Sequence, residues 1–198
     1  RFPGRQLVAV GYSLGANVLL KYCGENNGHN LLSAAVAVCP PLDLSACASR
    51  INQGSSRIYQ RYLLGRLKRS TLLKLKQFPD FPIPLTPRKV RRLSSIEQFD
   101  ELYTAPIHGF LNAQDYYQKA SAKAFLQHID IPTLIIHSSD DPFLSDAVIP
   151  TADEMPPSVH YELTSGGGHV GFVSGSVFKP TFWLNQRIPE FIRSQLAL

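Results

Sequence analysis

The sequence has 198 residues, of which 44% are hydrophobic and 18% charged, and this ordinary balance predicts one globular domain with room for an inserted subdomain. No apolar run approaches the roughly 18 residues of a transmembrane helix, and the first residues lack a secretory signal, so we expect a cytoplasmic protein. The net charge of +5 is concentrated in the middle of the chain. Three cysteines, in neither a CxxC pair nor an even-numbered framework, predict reduced thiols.

A strand, a helix and a second strand are predicted at the start of the chain. The apolar run RQLVAV, closed by Gly11, predicts a buried strand, and LGANVLLKYCGE behind it has the apolar spacing of a helix. Gly24 is the expected C-terminal stop of that helix. The run from Ala34 to Cys39, before a double proline, predicts another buried strand. This βαβ order indicates a parallel sheet and an α/β fold.

The middle of the chain, at about 42–127, contains no convincing strand and predicts several helices around the segment FPDFPIPLTP. We expect these residues to form a helical insertion in the sheet domain. The last predicted helix is capped by Asn112 and ends before Pro132. The helices are expected over LSACASRIN, SSRIYQRYLLGRLKR, RKVRRLSSIEQFDELY and AQDYYQKASAKAFLQHI.

The α/β pattern returns after residue 127. PTLIIHS and VHYELT predict two more strands, with a short helix over SDAVIPTADEM between them. KPTFWLNQRIPEFIRSQL predicts a terminal amphipathic helix with a kink at Pro189. The predicted fold is therefore a mostly parallel sheet flanked by helices and interrupted by the helical insertion.

Ser13 stands between a predicted strand and a predicted helix, in the pattern Gly-Tyr-Ser-Leu-Gly. A serine hydroxyl becomes a good nucleophile only when a base takes its proton, and the base needs an orienting acid. His169 lies in a glycine-rich loop after the last predicted strand, and Asp140 and Asp141 follow the strand before it. The chain order Ser, Asp, His, with the serine on a strand-to-helix turn, is the order of α/β-hydrolases.

The residues around Ser13 fit a strained turn. We expect Gly11 and Gly15 to be glycines because close packing leaves little room for a Cβ at either position, and we expect unusual backbone angles at Ser13. A helix starts directly behind Ser13, so the backbone amide of Leu14 is the expected donor to a developing oxyanion.

Each of these features also has an ordinary structural explanation. GxSxG occurs by chance, Asp-Asp-Pro is good turn chemistry, and His169 could be a simple loop histidine. The coincidence of three motifs, in the right order and each at the end of a strand, favours a catalytic set. Structural roles are favoured for the other five histidines, although His108 lies in the insertion, where it could approach a pocket.

The segment from Arg57 to Arg92 contains eleven Lys or Arg residues and a single acid, Asp80. Nucleic-acid binding would need a recognisable binding fold or stacking aromatic residues beside these charges, so we expect no nucleic-acid partner. The spacing RYLLGRLKR predicts an amphipathic helix with a basic face. Such a face is either simply solvated, or it attracts an anionic membrane surface or acidic lipids.

Four stretches together resemble the YheT-like branch of the α/β-hydrolase superfamily: GYSLGANVLLKYCGE, EQFDELYTAPIHGFLNAQDYYQKAS, PTLIIHSSDDPF and GGGHVGFV. The resemblance covers nearly the whole chain, and the second stretch is more discriminating than GxSxG. It implies an α/β-hydrolase fold whose residues at about 42–127 form a helical cap. It also implies hydrolysis of carboxylic esters, with short- to medium-chain acyl esters or lipids as substrates.

The resemblance also implies roles for individual residues. Ser13 would be the nucleophile and His169 the base and then the acid. In this superfamily the orienting acid usually stands three positions after the small residue that ends its strand, here Ser138, which favours Asp141 and leaves Asp140 as the alternative. No cofactor and no metal are implied.

One departure from the family concerns the start of the chain. Family members carry a long segment before the nucleophile strand, with the first strands of the sheet and the loop that bears the other oxyanion amide. The chain therefore resembles the C-terminal part of such a protein, and we expect the N-terminal strands to be absent from it. A protein existing only in this form would have an exposed edge strand and weak activity.

The leading hypothesis is a serine hydrolase that cleaves carboxylic esters through an acyl-enzyme on Ser13. Acyl transfer to an alcohol by the same residues is one alternative, and a non-catalytic remnant or interaction module is another. The expected partner is a small-molecule ester or lipid substrate, and the sequence does not define an oligomeric state.

Overall fold

The computed structural model describes residues 4–196, which belong to two compact units. The sheet unit comprises Arg1–Asp43 and Ser121–Leu198, and the helical unit comprises Leu44–Ala120. Among residues 4–196, no helix has both the length and the apolar character that crossing a bilayer requires. That residues at about 42–127 act as a cap stays a prediction.

The elements alternate between strands and helices at both ends of the chain and are helical in the middle. In chain order they are β1 (Val8–Tyr12), α1 (Leu14–Glu25), β2 (Ala34–Val38), α2 (Leu44–Arg50), α3 (Ser56–Gln77), α4 (Pro87–Arg92), α5 (Ile96–Phe99), a π-helical turn (Asp100–Thr104), α6 (Ala105–Ile107), α7 (Ala113–Ala120), a 3-10 helix (Lys123–His128), β3 (Thr133–Ser138), two 3-10 turns (Asp146–Val148 and Ala152–Glu154), β4 (Val159–Thr164), β5 (Val173–Ser176), β6 (Lys179–Phe182) and α8 (Leu184–Leu196).

A four-stranded sheet is the centre of the sheet unit. Its strands lie side by side in the order β1, β2, β3, β4, and each neighbouring pair is parallel. The carboxyl ends of all four strands therefore lie along one edge, which is where open α/β sheets bind ligands. The predicted α/β fold with a parallel sheet is confirmed, although β1 continues past its predicted end, through Gly11 to Tyr12.

The two inner strands are buried along their whole length. Every residue of β2 and β3 is buried, as expected for near-continuous apolar runs in a parallel sheet. Both α1 and α8 pack against β2. The core that joins the inner strands to α8 contains Val36, Val38, Cys39, Leu134, Ile136, Phe172, Leu184, Ile188 and Phe191.

Gly24 has a different role from the predicted one. Helix α1 does not stop there but continues to Glu25, with Asn26 as its C-cap. A Cβ on Gly24 would lie 2.3 Å from the carbonyl oxygen of Phe125, so the residue is a glycine because the backbone of a neighbouring segment approaches it closely. The prediction of a helix stop at this position is wrong.

The predicted terminal helix begins too early. Lys179–Phe182 forms β6, which pairs antiparallel with β5, and α8 starts only at Leu184. Gly175 has φ +84°, and a Cβ there would lie 2.6 Å from the carbonyl oxygen of Lys179, so the hairpin requires glycine. Pro189 lies inside α8, as expected.

Two other predicted helices are interrupted in the structure. Asn112 caps α7 by accepting a bond from the amide of Asp115 at 2.8 Å, as predicted. The predicted helix then breaks after Ala120, and the amide of Ala122 donates to Asn17 Oδ1 at 2.8 Å. SDAVIPTADEM forms two 3-10 turns on either side of Pro150.

The helical unit contains no strand among its described residues. Its predicted helix RKVRRLSSIEQFDELY is interrupted because the side chain of Ser95 caps α5, accepting a bond from the amide of Gln98 at 3.1 Å. Helix α3 is longer than predicted and ends at Gln77. Leu64 of α3 packs with Leu93 and Phe99 in a small core of this unit.

Candidate active site

Ser13, Asp141 and His169 meet at the carboxyl edge of the sheet, although they are far apart in the chain. Ser13 follows β1, Asp141 follows β3, and His169 follows β4. His169 Nε2 lies 2.7 Å from Ser13 Oγ, and His169 Nδ1 lies 2.8 Å from Asp141 Oδ2. In this arrangement the imidazole ring can accept the Ser13 proton at Nε2, while the Asp141 carboxylate orients the ring through Nδ1. The structure thus brings together the three residues that the sequence predicts.

The backbone at Ser13 is strained, with φ 51° and ψ −127°. Such angles cost on the order of 1–3 kcal/mol for a residue with a side chain, and surrounding contacts must hold them. The Ser13 amide donates to the carbonyl of Val38 at 2.9 Å, and its carbonyl accepts from the amides of Ala16 and Asn17. The prediction of unusual backbone angles at Ser13 is confirmed.

Of the two glycines that flank Ser13, only Gly11 is required by packing. A Cβ on Gly11 would lie 2.6 Å from Ala16 Cα and 2.7 Å from the carbonyl oxygen of Gly15. A Cβ on Gly15 would meet no atom within 4 Å, because this residue lies in the first turn of α1 with open space beside it. The expectation of close packing is therefore right for Gly11 and wrong for Gly15.

The amide of Leu14 is the first amide of α1. The first amides of a helix have no carbonyl acceptor within it, and they carry the partial positive charge of the helix dipole. Because the Leu14 amide directly follows Ser13, it is well placed to donate a hydrogen bond to the carbonyl oxygen that becomes negative when Ser13 attacks. Its role as an oxyanion donor stays a prediction.

The carboxylate of Asp141 is buried, and both of its oxygens accept hydrogen bonds. Oδ2 pairs with His169, and Oδ1 accepts from the amide of Phe143 at 2.8 Å. The ring of Phe143 packs against the imidazole of His169, with 4.2 Å between the ring centroids. These contacts fix the carboxylate and the imidazole together, and Phe143 is a site residue that the sequence analysis did not single out.

Asp140, the alternative acid, bonds to the backbone of the loop before His169. Its Oδ1 accepts from the amide of Gly168 at 2.7 Å and from the hydroxyl of Ser138. The Ser138 hydroxyl, and then the Gly168 amide, stabilise the charged carboxylate and hold the pKa of Asp140 below its ordinary value. Asp140 therefore ties the turn after β3 to the glycine-rich loop that carries His169.

A second histidine, His137, lies inside β3. Its side chain is buried, and Nε2–H donates to the carbonyl of Pro40 at 2.9 Å. Burial lowers the pKa of His137 to about 4, so the ring is neutral at pH 7. This environment suits the structural role expected for this histidine.

Cys39, which has φ 48°, adds a possible metal ligand beside Asp141 and His169. One ligand atom from each of the three residues lies within 4.8 Å of the others. Burial, and then the negative charge of Asp141, raise the pKa of the Cys39 thiol to about 12, so the thiol is protonated at pH 7. The carboxylate and the imidazole are also already bonded to each other. Asp141 and His169 therefore satisfy each other as hydrogen-bond partners.

Comparison with known proteins places this chain in a family. The family profile described as "alpha/beta hydrolase fold" matches residues 1–176. The chain belongs to the alpha/beta hydrolase fold family. A solved esterase structure from Pyrococcus furiosus has the same fold, with a TM-score of 0.50 and 17% identity, and the match covers 96% of this chain and 54% of that one.

Curated relatives carry esterase names. YheT of Escherichia coli (strain K12), named as an esterase, is 44% identical over 188 residues, which cover 95% of this chain and 55% of that protein. Medium-chain fatty acid ethyl ester synthase/esterase 2 of Saccharomyces cerevisiae is 33% identical over 211 residues, covering 96% of this chain and 46% of that protein. The chain therefore spans about half the length of these relatives.

Proposed function

We propose that the chain is a serine hydrolase that cleaves carboxylic esters through an acyl-enzyme on Ser13. The observation that carries this proposal is the unbroken hydrogen-bonded series from Ser13 Oγ through the His169 ring to Asp141 Oδ2. The strained turn at Ser13 supports it, because strain of this kind accumulates at functional sites.

In the first half of the reaction, Ser13 Oγ attacks the ester carbonyl carbon while its proton passes to His169 Nε2. The new C–O bond places a negative charge on the former carbonyl oxygen, and the Leu14 amide can donate a hydrogen bond to it. When this intermediate collapses, the bond to the alcohol oxygen breaks and His169 returns the proton to the leaving alcohol. The acyl group remains on Ser13.

In the second half, water attacks the acyl carbon and gives its proton to His169 Nε2. Collapse of this intermediate returns the proton to Ser13 Oγ and releases a carboxylic acid. Throughout, the Asp141 carboxylate orients the ring through Nδ1–H and stabilises the imidazolium. Because Asp141 is buried and also bonded by the Phe143 amide, it can do so without moving.

The substrates that we propose are esters of short- to medium-chain or lipid acyl groups. The yeast relative is named for a medium-chain fatty acid ethyl ester, and its 33% identity across most of this chain supports a related substrate class. We further propose that the helical unit covers the substrate as a cap. An acyl chain needs an apolar environment away from water, which a sheet edge alone does not supply.

Acyl transfer to an alcohol is the second candidate function, favoured by the word "synthase" in the name of the yeast relative. The same acyl-enzyme would form, and an alcohol would replace water in the second half. Incubation with p-nitrophenyl octanoate and ethanol, followed by gas chromatography, separates the two reactions. Ethyl octanoate in excess over octanoate supports transfer, and octanoate alone supports hydrolysis.

The basic segment Arg57–Arg92 supports a partner beyond the substrate, namely an anionic membrane surface. No salt bridge among the described residues involves any of its eleven cations. Each such cation near an anionic bilayer contributes on the order of 1 kcal/mol to attraction. Co-sedimentation with phosphatidylcholine vesicles, with and without phosphatidylserine, tests this: we expect binding only with phosphatidylserine, and equal binding to both would contradict it.

Hydrolysis of p-nitrophenyl octanoate, followed by absorbance, tests the main proposal. We expect kcat to fall by about 10³-fold or more in Ser13→Ala and in His169→Ala. Ser70→Ala, which alters an exposed serine of α3, is the matched control and should retain full activity. Turnover that is the same in Ser13→Ala as in the unaltered chain would refute the proposal, and a folded chain without turnover would favour a non-catalytic module.

A further inference from the structure

A groove with a volume of about 770 Å³ runs along α3 in the helical unit. Most of its lining residues come from α3, between Arg57 and Lys76, where single residues or adjacent pairs recur every three or four positions. They therefore form one face of the helix over about five turns, roughly 28 Å in length. Leu93 and Ser94, after α4, complete the lining. The volume lies within the roughly 300–1,000 Å³ of small-molecule sites.

The groove has five cationic side chains and no acidic one: Arg57, Arg61, Lys68, Arg69 and Lys76. Within residues 4–196, none of the five belongs to a salt bridge. Lys68 donates to the carbonyl of Leu93 at 2.7 Å, and its ammonium group has further hydrogens to donate. The groove therefore presents positive charge that the described part of the protein does not neutralise.

Leucine side chains lie between these cations. Leu64 and Leu93 are buried and form the floor, and Leu72 is half-buried beside them. Leu73 is 60% exposed although it lines the same face. A groove with an apolar floor and cationic walls fits a ligand that has an alkyl chain and an anionic head.

Gly65 lies at the middle of this face and keeps the groove open. Glycine inside a helix costs about 1 kcal/mol relative to alanine. Packing does not require it here, because a Cβ would meet no atom within 4 Å. A larger side chain at this position would project into the groove without disturbing the packing of α3.

We propose that this groove binds a long-chain fatty acid in its carboxylate form. The planar guanidinium groups of Arg57, Arg61 and Arg69 match a carboxylate in two-point hydrogen bonding, and the leucines accommodate the alkyl chain. The choice of a carboxylate rests on the proposed function, since cleavage of a fatty acyl ester releases one. The groove belongs to the helical unit, whereas Ser13, Asp141 and His169 belong to the sheet unit.

Calorimetric titration with oleate, below the concentration at which it forms micelles, tests the proposal. The titration uses the Ser13→Ala chain, so that a failure of the proposed catalysis does not affect the result. We expect oleate to bind at one site, and oleyl alcohol and acetate, which lack the charge or the chain, to bind at least about tenfold more weakly, because each loses one of the two interactions.

Two sets of variants locate the site. Removing three groove charges (Arg57→Gln, Arg61→Gln, Arg69→Gln) should weaken oleate binding by about tenfold or more. The matched control removes three charges of the same segment that do not line the groove (Arg66→Gln, Arg88→Gln, Arg91→Gln) and should change affinity by less than about twofold, since salt screens distant charges. Equal losses in both sets would mean diffuse surface attraction and would overturn the proposal.

Gly65 provides a test that does not depend on charge. Gly65→Leu should abolish oleate binding without lowering the melting temperature, whereas Gly65→Ala should leave binding largely intact and raise the melting temperature. Unchanged binding in Gly65→Leu would overturn the proposal. The proposal would also be overturned if oleyl alcohol bound as tightly as oleate. It would likewise be overturned if a second copy of the chain occupied the groove, which would be seen as a dimer that the groove variants dissociate.

Discussion

The carboxylate of Asp140 accepts a hydrogen bond from the backbone amide of Gly168, the residue immediately before His169. Asp140 and Asp141 are adjacent in the chain, yet one binds the backbone of the histidine loop and the other binds the imidazole ring. Two carboxylates from one turn thus hold the backbone just before His169 and the ring of His169. This arrangement leads us to expect different consequences when each is removed.

Asp140→Ala should slow ester hydrolysis by about tenfold, because it removes the hydrogen bond to the Gly168 amide and so frees the loop before His169. The effect should lie mainly in kcat, since Asp140 bonds to the loop backbone and to Ser138. Asp140→Asn retains a carbonyl oxygen that can accept from Gly168, and it should lose less. Steady-state kinetics of each variant provides the measurement.

Asp141→Ala is the variant with which the activity of Asp140→Ala should be compared. It removes the group bonded to His169 Nδ1, and we expect a loss of about 10³- to 10⁴-fold in kcat. The assignment of Asp141 as the orienting acid would be wrong if Asp140→Ala lost as much activity as Asp141→Ala. It would also be wrong if Asp141→Ala retained most of the activity.

The two glycines around Ser13 should respond in opposite ways to the same substitution. Gly11→Ala places a Cβ 2.6 Å from Ala16 Cα, and overpacking of this kind costs about 1–3 kcal/mol of stability. Gly15→Ala meets no atom within 4 Å in the first turn of α1, so it should be neutral or stabilise by up to about 1 kcal/mol. Urea unfolding of both variants measures this difference, and a destabilised Gly15→Ala would contradict it.

The buried ring of His137 should make stability depend on pH. In the unfolded chain its pKa returns to the ordinary value of 6.5, whereas in the folded protein it lies at about 4. Between these values only the unfolded chain binds the proton, so the free energy of unfolding should fall as the pH falls from 6.5 to 4, by about 3 kcal/mol. Above pH 6.5 this contribution is fully retained.

His137→Gln tests whether His137 causes this pH dependence of stability. A glutamine amide can still donate to the Pro40 carbonyl, but it does not titrate. We expect the variant to lose most of the slope of stability against pH between 6.5 and 4, measured by urea unfolding at several pH values. The same slope in variant and parent would assign the pH dependence to other groups.

Much of the sheet unit could be predicted because its strands carry strong local patterns. Val159–Thr164 forms β4 with the predicted bounds, and the apolar run that precedes Ser139 forms β3. The β5–β6 hairpin was missed because Gly175 and Pro180 are poor strand residues, and only pairing between the two segments stabilises them. The role of Gly24 was misinterpreted because the segment that requires glycine there, the backbone of Phe125, is distant in sequence.

The candidate site was predictable to the extent that the ends of parallel strands must meet at one edge. That rule brings Ser13, His169 and the two aspartates together from their chain positions alone. It does not determine which aspartate contacts the ring. That choice depends on the turn in which the Asp141 amide donates to the Ser138 carbonyl at 3.1 Å, and on the ring of Phe143.

Labelling with a fluorophosphonate probe, read by intact mass and peptide mapping, tests the central claim most directly, because the probe reacts covalently with an activated serine. We predict that the chain gains one label, that the label lies on Ser13, and that Ser13→Ala gains none while Ser70→Ala is labelled at the parent rate. Labelling that is undiminished in Ser13→Ala would contradict the claim that Ser13 is the nucleophile.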